Sequence, residues 1–396
     1  MNILILSNYY APEMGAAPNR IYNLAKGLSG RGNQVTVVCP LPNYPEGRVF
    51  EPYRGKLYAR ENADDIEVNR FWIYPSVSSN PFLRVLSMLS FAVSLWGCLL
   101  KWKTIKKVDH VIIQNSPLLV SFSGIILFKW IFRRKIALNI SDLWPLSALE
   151  LGAIGKGRMY RILEWIERFN YRNADGVMGQ SNEILGHVLE ICERPTFLYR
   201  NVQPKGKIAP SSEFEDDSQT VRLVYAGLLG VAQGIFDMVK AIDFDELGAE
   251  LDIYGHGNEE EAIKDYLNVN PDIGVHYKGS LKKHELHARL PRYHASIVPL
   301  KTRITGAVPS KIFELIHLNV PILFCGSGEG GKIVNEHAVG FNSEPGDFEK
   351  LKMNICMLKE MNSSEYEELK ENCAKAARSS FDFTRQLENL EDWLRR

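Results

Sequence analysis

Short uninterrupted runs of hydrophobic residues alternate with helix-like patterns along this chain, and the alternation occurs twice. In the first half, apolar runs at residues 2–7 and 34–39 flank an amphipathic pattern at 19–29, and further runs follow at 110–114 and 136–140. Continuous apolar runs of this length are typical of strands buried on both faces of a parallel sheet. The pattern therefore predicts βαβ units in a doubly wound α/β domain.

The second half repeats the pattern after a polar, proline-bearing stretch at residues 204–220, which we interpret as an interdomain link. Two Rossmann-like domains, residues 1–204 and 205–383, are expected to face each other across a cleft. The strands predicted in the second domain are 221–226, 250–254, 274–277, 295–299 and 320–325, and its predicted helices include 235–242 and 283–290. The glycine-containing turns expected to line the cleft are 8–17, 227–234, 255–257, 279 and 305–310.

Residues 297–323 combine a strand, a loop of small residues and a helix that is predicted to begin near Pro309 and Ser310. The start of a helix has unpaired backbone N–H groups and the positive end of the helix dipole, so it can bind an anion. Lys311 adds a positive charge, and Glu314 lies about one turn further on the same face, where its carboxylate can hold ribose hydroxyls. A nucleotide-diphosphate sugar has both a diphosphate and a ribose, so it needs an anion site and a carboxylate about one turn apart. An ordinary strand–helix connection is the alternative from these residues alone.

Composition is ordinary for soluble globular proteins, with 45% apolar and 24% charged residues and no formal net charge. The charge is unevenly placed, because residues 1–204 carry 24 Lys and Arg against 16 Asp and Glu. A basic half indicates an anionic partner surface, but no basic run is interleaved with aromatics as in nucleic-acid-binding modules. Six cysteines without CxxC pairs fit reduced thiols in a cytoplasmic protein, and the first ten residues are predicted to form a strand rather than a signal peptide.

Residues 81–107 are the candidate membrane-facing segment. Their uncharged stretch 85–100 is 16 residues long, which is short of the roughly 20 residues that cross a bilayer. Trp96 and Trp102 lie beside a cluster of four lysines, where interfacial aromatics occur. We therefore expect this segment to contact an anionic leaflet, with packing in the core as the alternative. A second apolar stretch, 118–131, is expected to be a buried core helix.

Several other classes of site find little support. His284 and His287 have the wrong spacing for a zinc motif and are predicted to lie on a solvated helix face. The phosphate-binding loop GxxxxGK[ST] and the serine-hydrolase elbow GxSxG are absent from the sequence. We therefore expect no metal, no dinucleotide cofactor and no serine nucleophile.

Taken together, the motifs resemble those of the family 4 glycosyltransferases with the GT-B fold, over nearly the whole chain. The resemblance is closest to the bacterial surface-polysaccharide branch that includes L-fucosamine transferases. It implies that a C-terminal helix at about 384–396 packs back on the first domain. The segments that carry the resemblance are residues 9–39, 42–55, 141–145 (SDLWP), 225–234 (YAGLLGVAQG), 253–260 (IYGHGNEE), 277–286 and 308–323 (VPSKIFELIHLNVPIL).

The resemblance implies a donor-binding role for the turns named above. Gly15 and Ala16 occupy the first loop, which would meet the donor sugar and diphosphate, and Glu314 matches the glutamate that binds ribose. Glu314 is the second glutamate of the family's Glu-x7-Glu motif, and Gly306 stands in place of the first. Leu228 and Gln233 stand where an arginine and a lysine are usual. The complete predicted donor-binding set is Gly15, Ala16, Gly227, Gly230, Gln233, His256, Gly279, Leu281, Arg303, Gly306, Ala307, Val308, Pro309, Ser310 and Glu314.

Three residues are predicted to take part in catalysis. Lys311 should stabilise the leaving diphosphate together with the backbone donors of residues 308–311. Asp142 ends a first-domain strand and is predicted to orient the acceptor or act as a general base, with an N-cap before residues 143–144 as the alternative. Glu13 has a similar but weaker claim, because a loop glutamate is usually solvated.

The expected function is therefore retaining transfer of a sugar, such as an N-acetylated deoxyhexosamine, from a UDP-sugar to a polyprenyl-diphosphate-linked saccharide. This places the protein on the cytoplasmic face of the cell membrane in O-antigen or capsule biosynthesis, with no metal and no cofactor other than the nucleotide sugar. Two alternatives remain from the sequence. One is a non-catalytic homologue that binds nucleotide sugars, and the other is a soluble sugar-nucleotide epimerase or phosphorylase.

Overall fold

The computed structural model describes residues 1–78, 80–204 and 220–396, and it divides into two compact units. The first unit comprises Met1–Asn201 and Thr384–Arg396, and the second comprises Val202–Phe383. Each unit has its own hydrophobic core around one sheet. The predicted interdomain link falls almost entirely on residues 205–219, which lie outside the described residues.

The first unit contains an eight-stranded sheet in the order β3-β4-β2-β1-β5-β6-β7-β8, parallel except for the edge pair β3 and β4. That edge hairpin was not predicted, because its strands alternate charged and apolar residues, and Arg70 is buried there against Glu61 at 2.9 Å. The strands are β1 (Asn2–Leu6), β2 (Gln34–Pro40), β3 (Tyr58–Ala63), β4 (Ile66–Phe71), β5 (His110–Gln114), β6 (Lys135–Ile140), β7 (Gly176–Gly179) and β8 (Thr196–Leu198).

Helices cover the faces of this sheet. The first of them begins at Ala16, three residues earlier than predicted, because Gly15 with φ 142° serves as its N-cap. The helices are α1 (Ala16–Gly30), α2 (Pro81–Ser94), α3 (Trp102–Ile105), α4 (Leu118–Ile125), α5 (Leu146–Glu150), α6 (Arg158–Asn173) and α7 (Asn182–Ile191). Short 3₁₀ helices span Glu51–Tyr53 and Leu95–Lys101, and a π-helical turn at Ile126–Ile131 continues α4.

The two apolar stretches of the first unit differ in burial. Residues 118–131 form α4 and its π-helical continuation, and most of their side chains are buried, which confirms the predicted core helix. The other stretch, predicted at residues 81–107, contains the 20-residue helical segment Phe82–Lys101, which exceeds the 16-residue uncharged stretch and is long and apolar enough by composition to cross a membrane. It includes α2 and the following 3₁₀ helix, and much of it is exposed.

The second unit contains a six-stranded, all-parallel sheet in the order β11-β10-β9-β12-β13-β14. β13 begins two residues later than predicted, because Pro321 has no N–H and the Val320 N–H donates to the Leu315 carbonyl. The strands are β9 (Val221–Ala226), β10 (Ala249–Tyr254), β11 (Val275–Gly279), β12 (Ala295–Pro299), β13 (Ile322–Cys325) and β14 (Gly340–Ser343). The α-helices are α8 (Ile235–Ala241), α9 (Glu260–Val269), α10 (Lys283–Arg289), α11 (Ser310–His317), α12 (Glu329–Glu336), α13 (Phe348–Glu360) and α14 (Ser363–Ser379).

The last helix, α15 (Phe383–Arg395), packs on the first unit from Thr384 onward. Leu387 and Leu390 are buried, and Glu391 forms an ion pair with Arg31 at 3.0 Å. The ring of Trp393 lies against Phe197, with 5.6 Å between their centroids. The chain therefore ends in the unit in which it begins.

Candidate functional site

Glycine-rich loops meet at the carboxyl end of the second sheet, the edge where open parallel sheets bind their ligands. The loop after β9 reaches the loop after β10 through two main-chain hydrogen bonds. Gly227 N–H donates to the Tyr254 carbonyl over 2.9 Å, and Leu229 N–H donates to the His256 carbonyl over 2.9 Å. Two of the turns in the predicted donor site are therefore held together by backbone alone.

Gly255 must be a glycine for this arrangement. Its φ of 150° is one that L side chains rarely adopt, and a Cβ built on it would lie 1.8 Å from the Gly227 carbonyl oxygen. Its N–H donates to the Gly279 carbonyl over 3.0 Å, which adds the turn after β11 to the cluster. The structure thus brings together three predicted donor-binding positions, Gly227, His256 and Gly279. The side chain of His256 is exposed, and its Nδ1 lies 3.3 Å from the Ser280 hydroxyl.

The loop before α11 reaches the same edge. The Lys301 N–H donates to the Ala232 carbonyl over 2.8 Å, and its ammonium pairs with Asp237 at 2.8 Å. Gly306 is buried with φ 80°, and Pro309 precedes α11 without a capping side chain. The N–H groups of the first turn of α11 therefore receive no side-chain cap, as an anion-binding helix start requires.

Lys311 and Glu314 form an ion pair at the start of α11, with 2.8 Å between Nζ and Oε2. The other carboxylate oxygen, Oε1, lies 2.5 Å from Nε2 of His287, which comes from α10. Burial raises the pKa of Glu314, but the His287 hydrogen bond and the Lys311 charge outweigh it and lower the pKa to about 2. Glu314 is therefore ionised at every physiological pH, and its position is fixed from two sides.

The contact of His287 with Glu314 corrects the prediction that the pair His284 and His287 lies on a solvated face. His284 is indeed 78% exposed, whereas His287 is 25% exposed and packs against α11. The sequence could not show this contact, because the two residues are 27 positions apart and belong to different helices.

Positions 228 and 233, where the family usually carries an arginine and a lysine, carry no charge in this chain. Leu228 is 58% exposed, and its carbonyl accepts a hydrogen bond from the Tyr225 hydroxyl over 2.6 Å. The Gln233 Oε1 atom is buried and has no hydrogen-bond partner among the residues that the structure describes. Gly230 leaves space for it, since a Cβ there would lie 2.9 Å from that oxygen. Because amide O and N are assigned rather than observed, either end of Gln233 can face this position.

The remaining donor-binding predictions lie on the same edge of the second unit. Val308 is buried, Arg303 is exposed, and the other side chains are half-buried. These half-buried positions are Leu281, Ala307, Pro309 and Ser310.

One glycine pattern in this unit was not predicted. Gly326, Gly328 and Gly331 match GxGxxG between β13 and α12, although no dinucleotide motif was expected. Packing explains the first of them, because a Cβ on Gly326 would lie 2.4 Å from the Phe324 ring. Glu329 is buried in the first turn of α12, where its carboxylate would repel a diphosphate. The pattern therefore favours a packing role over dinucleotide binding.

In the first unit, Gly15 and Ala16 form the start of α1. Glu13, two residues earlier, is buried rather than solvated. Its carboxylate accepts backbone hydrogen bonds from Tyr10 at 3.1 Å, Asn43 at 2.8 Å and Tyr44 at 2.9 Å. These contacts join the loop after β1 to the loop after β2, so they favour a structural task for Glu13, and its predicted catalytic role has no contact that supports it.

Asp142 follows β6 and is not an N-cap, because α5 begins only at Leu146 after Pro145. No donor hydrogen-bonds its carboxylate within the described parts of the chain. Although the side chain reaches solvent, desolvation raises its pKa, and the charge of Arg20 opposes that rise. A carboxylate without a hydrogen-bond donor of its own is free to accept a hydrogen bond or a proton from a substrate hydroxyl group.

Lys311 and Glu314 belong to the second unit, whereas Glu13, Gly15, Ala16 and Asp142 belong to the first. Among the described residues, no group of three His, Cys, Asp or Glu side chains could hold a metal ion.

Comparison with known proteins gives one family match. Residues 15–195 match the model of the glycosyl transferase 4-like domain. No curated protein sequence matches the chain.

Several solved structures share this fold. The complex of Anabaena Alr3699/HepE with UDP is 14% identical, with a TM-score of 0.67 over 100% of both chains. WaaG, a glycosyltransferase involved in lipopolysaccharide biosynthesis, is 13% identical, with a TM-score of 0.65 over 99% of both chains. Starch Synthase IV from Arabidopsis thaliana, bound to ADP and acarbose, is 12% identical, with a TM-score of 0.68 over 100% of this chain and 98% of that one. The predicted fold is confirmed: the chain has two Rossmann-like domains of the GT-B type.

Proposed function

We propose that this protein is a retaining glycosyltransferase of family 4 that transfers a sugar from a UDP-sugar to a polyprenyl-diphosphate-linked saccharide. The observation that carries the proposal is the fixed Lys311–Glu314 pair at the uncapped start of α11. The match of residues 15–195 to the glycosyl transferase 4-like domain supports it, as does the fold shared with proteins solved in complex with UDP and UDP-glucose.

The proposed donor site assigns one chemical task to each group. The diphosphate lies at the start of α11, where the unpaired N–H groups and the Lys311 ammonium are both positive. The ribose hydroxyls donate to Glu314, whose carboxylate has four lone-pair sites and spends only part of them on His287 and Lys311. The nucleobase lies along the main chain near Gly279 and Leu281.

The proposed reaction breaks the bond between the anomeric carbon and the diphosphate. Positive charge develops on the sugar ring while negative charge builds on the leaving diphosphate. Lys311 and the first N–H groups of α11 stabilise that negative charge, so the step proceeds without a metal ion. The donor phosphate helps to deprotonate the acceptor hydroxyl on the face that it leaves, which gives retention, and Asp142 orients that hydroxyl or accepts its proton.

Three departures from the family pattern shape this proposal. Leu228 offers no charge to the diphosphate, so Lys311 carries more of that task than usual. The unpartnered amide of Gln233 can turn its NH₂ group toward a phosphate oxygen, which would supply a neutral donor where the family carries lysine. Gly306 leaves the donor sugar without the usual glutamate, and the identity of the sugar follows from contacts that the sequence does not name.

A panel of nucleotides and nucleotide sugars tests the donor assignment. We expect the melting temperature to rise with UDP and with one UDP-sugar, equally with magnesium and with EDTA, because only the native state binds the ligand. UDP-N-acetylhexosamines are the first candidates for that sugar. The absence of a shift with every uridine nucleotide would contradict the proposal, and a shift that requires magnesium would contradict the metal-free step.

We further propose that the first unit lies on the inner leaflet of the cell membrane, where a polyprenyl-linked acceptor would be found. The support is the outer surface of residues 81–107, which carries large exposed apolar side chains. Phe82 is 72% exposed, Val93 69% and Leu100 89%, and four lysines follow them. Exposed apolar surface beside a basic cluster fits an anionic bilayer interface.

The same segment is better suited to lie on a membrane than to cross it. Its inner side belongs to the core, where Phe91 and Leu95 are fully buried. Trp96 Nε1 donates to the Ser123 hydroxyl of α4 over 3.0 Å, and that hydroxyl donates to the Ala92 carbonyl over 2.7 Å. Crossing the bilayer would remove these groups from the core of the domain and leave the sheet uncovered.

The structure adds a second helix to this surface. α4 packs between α2 and α6, and the ring of Phe122 on α4 lies 5.9 Å from that of Trp165 on α6. Ile162 is 54% exposed and Trp165 59%, next to the exposed side chains of Arg158 and Arg161. α2 and α6 therefore present exposed apolar side chains beside α4, with basic residues on α6 and after α2, which supports contact with anionic lipid.

Liposome sedimentation tests this contact. Replacing Val93 and Leu100 together by glutamate should reduce binding to phosphatidylglycerol vesicles by at least about tenfold, because two apolar side chains lose their burial and two like charges approach the lipid. The control is Val269→Glu, which changes an equally exposed valine of the second unit. Binding that is unchanged in the double variant, or equal on neutral phosphatidylcholine, would contradict the proposal.

A further inference from the structure

Arg20 is a buried guanidinium that has only neutral hydrogen-bond partners. It is 6% exposed, on the inner side of α1. Nη1 donates to the Ser141 hydroxyl over 2.7 Å and to Gln180 Oε1 over 3.2 Å. Nη2 donates to Asn139 Oδ1 over 3.1 Å and to the Tyr199 carbonyl over 3.3 Å. Its Nε is buried without a partner among the described residues.

The four acceptors lie at the carboxyl ends of β6, β7 and β8, and the network extends to β5. Gln114, the last residue of β5, donates to the Ser141 hydroxyl over 2.7 Å and accepts from Asn139 over 3.0 Å. Gln180 also donates to the Ser141 carbonyl over 2.5 Å. Arg20 is therefore the centre of a polar network that joins α1 to four strand ends at the ligand-binding edge of the sheet.

A charge in this position is costly. Burial of a charge without a carboxylate partner is unfavourable, and neutral hydrogen bonds compensate only part of that cost. A hydrophobic side chain on the same face of α1, beside Ile21 and Leu24, would avoid that cost. The presence of an arginine therefore indicates that the charge or the planar set of five donors has a task.

One carboxylate lies within electrostatic range. Among the charged groups of the described residues, Arg20 is the one that acts on Asp142, the residue after Ser141. The other titratable group facing the guanidinium is Tyr199, and burial raises the pKa of its hydroxyl, so it stays neutral. Arg20 thus holds the segment that bears Asp142 by hydrogen bonds to Ser141 and acts on the carboxylate through its charge.

We propose that Arg20 is a positioning residue for Asp142, fixing the segment after β6 at the network centred on the guanidinium and favouring the charged form of the Asp142 carboxylate. This inference rests on the proposed function, in which Asp142 receives the acceptor hydroxyl. It also joins the start of α1, which carries Gly15 and Ala16, to the strand ends on which the acceptor would lie.

The direction of the pH effect follows from the charges. Desolvation raises the pKa of Asp142, and the positive charge of Arg20 opposes that rise. Without Arg20, the pKa of Asp142 is higher and the carboxylate is protonated at a higher pH. The acidic limb of the transfer rate should therefore move toward neutral pH.

The pH–rate profile of UDP release tests the proposal, with the UDP-sugar that the nucleotide panel identifies and a lipid-linked acceptor. Arg20→Gln should move the acidic limb upward by on the order of one pH unit. Arg20→Lys, which keeps the charge and loses the fork, should lower the rate with the limb near that of the unchanged protein. A profile for Arg20→Gln that is lower at every pH but not displaced would overturn the proposal and leave Arg20 a structural residue.

The variant Asp142→Asn separates the role of Asp142 in the reaction from the positioning role of Arg20. If the acidic limb persists in this variant, the assignment of Asp142 fails, and with it that part of the proposed function. Where a variant is too slow for a pH–rate profile, a double-mutant cycle of melting temperatures tests the same coupling, because it needs no substrate. Asp142→Asn should change the melting temperature in a pH-dependent way, and that dependence should shift to higher pH in the Arg20→Gln background. Coincident curves in both backgrounds would contradict the coupling.

Discussion

Replacing Lys311 by alanine is expected to lower the rate of sugar transfer about 10²–10³-fold, with little change in the fold. The ammonium is the charged group proposed to stabilise the leaving diphosphate, and the loss of one preorganised donor of this kind has effects of that size. The effect should fall mainly on kcat, because negative charge on the diphosphate grows in the transition state. Steady-state assays of UDP release with the identified donor measure it.

The matched control is Lys352→Ala. Lys352 also forms an ion pair three residues away, with Glu349 at 2.9 Å, and its side chain is 30% exposed, against 24% for Lys311. Its replacement should leave the transfer rate within about twofold, because surface pairs of this type contribute little. Equal transfer rates in the Lys311 and Lys352 variants would contradict the role proposed for Lys311, and no transfer by the unchanged protein would favour the non-catalytic homologue that the substitutions at Gly306, Leu228 and Gln233 suggest.

Glu314→Gln is expected to weaken UDP binding about tenfold to hundredfold. Ribose hydroxyls that donate to a carboxylate lose a charge-assisted hydrogen bond, and such bonds contribute roughly 1.5–3 kcal/mol. The glutamine also leaves His287 and Lys311 without their anion. Calorimetry should show that the unchanged protein binds UDP more tightly than 2′,3′-dideoxy-UDP and that the variant binds both alike. Retained discrimination would place the ribose elsewhere.

The depressed pKa of Glu314 also sets the sign of its effect on stability. The ion pair stabilises the folded protein fully above the ordinary glutamate pKa, and this contribution is lost as the pH falls toward about 2. UDP affinity should therefore not change through protonation of Glu314 between pH 5 and 8. The destabilisation by Glu314→Gln should be largest at neutral pH and disappear near pH 2.

The sequence predicted strands best where burial on both faces produces a continuous apolar run. β5, β9 and β12 have the predicted bounds, because their neighbours on both sides are also buried strands. The edge strand β3 escaped prediction because its side chains are half-buried or exposed, and β4 beside it escaped because the buried Arg70 breaks the apolar pattern. The four-residue strands β7 and β14 are too short for periodicity to reveal.

In the candidate site, too, the sequence predicts relations between residues of one helix but not contacts between residues of different helices. Lys311 and Glu314 lie one turn apart on a helix, so their spacing predicted that they share one face, and the structure adds the ion pair between them. His287 meets Glu314 only through packing of α10 on α11, which no local pattern records. A signal for Arg20 is present in the sequence, because it lies four residues before Leu24 on the apolar side of α1, but a lone arginine at such a position does not by itself indicate burial.

The membrane-facing surface could be predicted only in part from the sequence. The stretch 81–107 is visible in the sequence as an apolar run with basic residues, but α6 alternates arginine, glutamate and aromatic residues and looks like an ordinary surface helix. Its Ile162 and Trp165 acquire significance only because α4 packs between α6 and α2.

The central claim is that α11 begins at the diphosphate of a uridine nucleotide, and a crystal structure of the protein with UDP tests it most directly. We predict phosphate oxygens within hydrogen-bonding distance of Lys311 Nζ and the first N–H groups of α11, with the ribose hydroxyls on Glu314. UDP bound at another edge of the sheet, with Lys311 and Glu314 still paired only to each other and His287, would contradict the account.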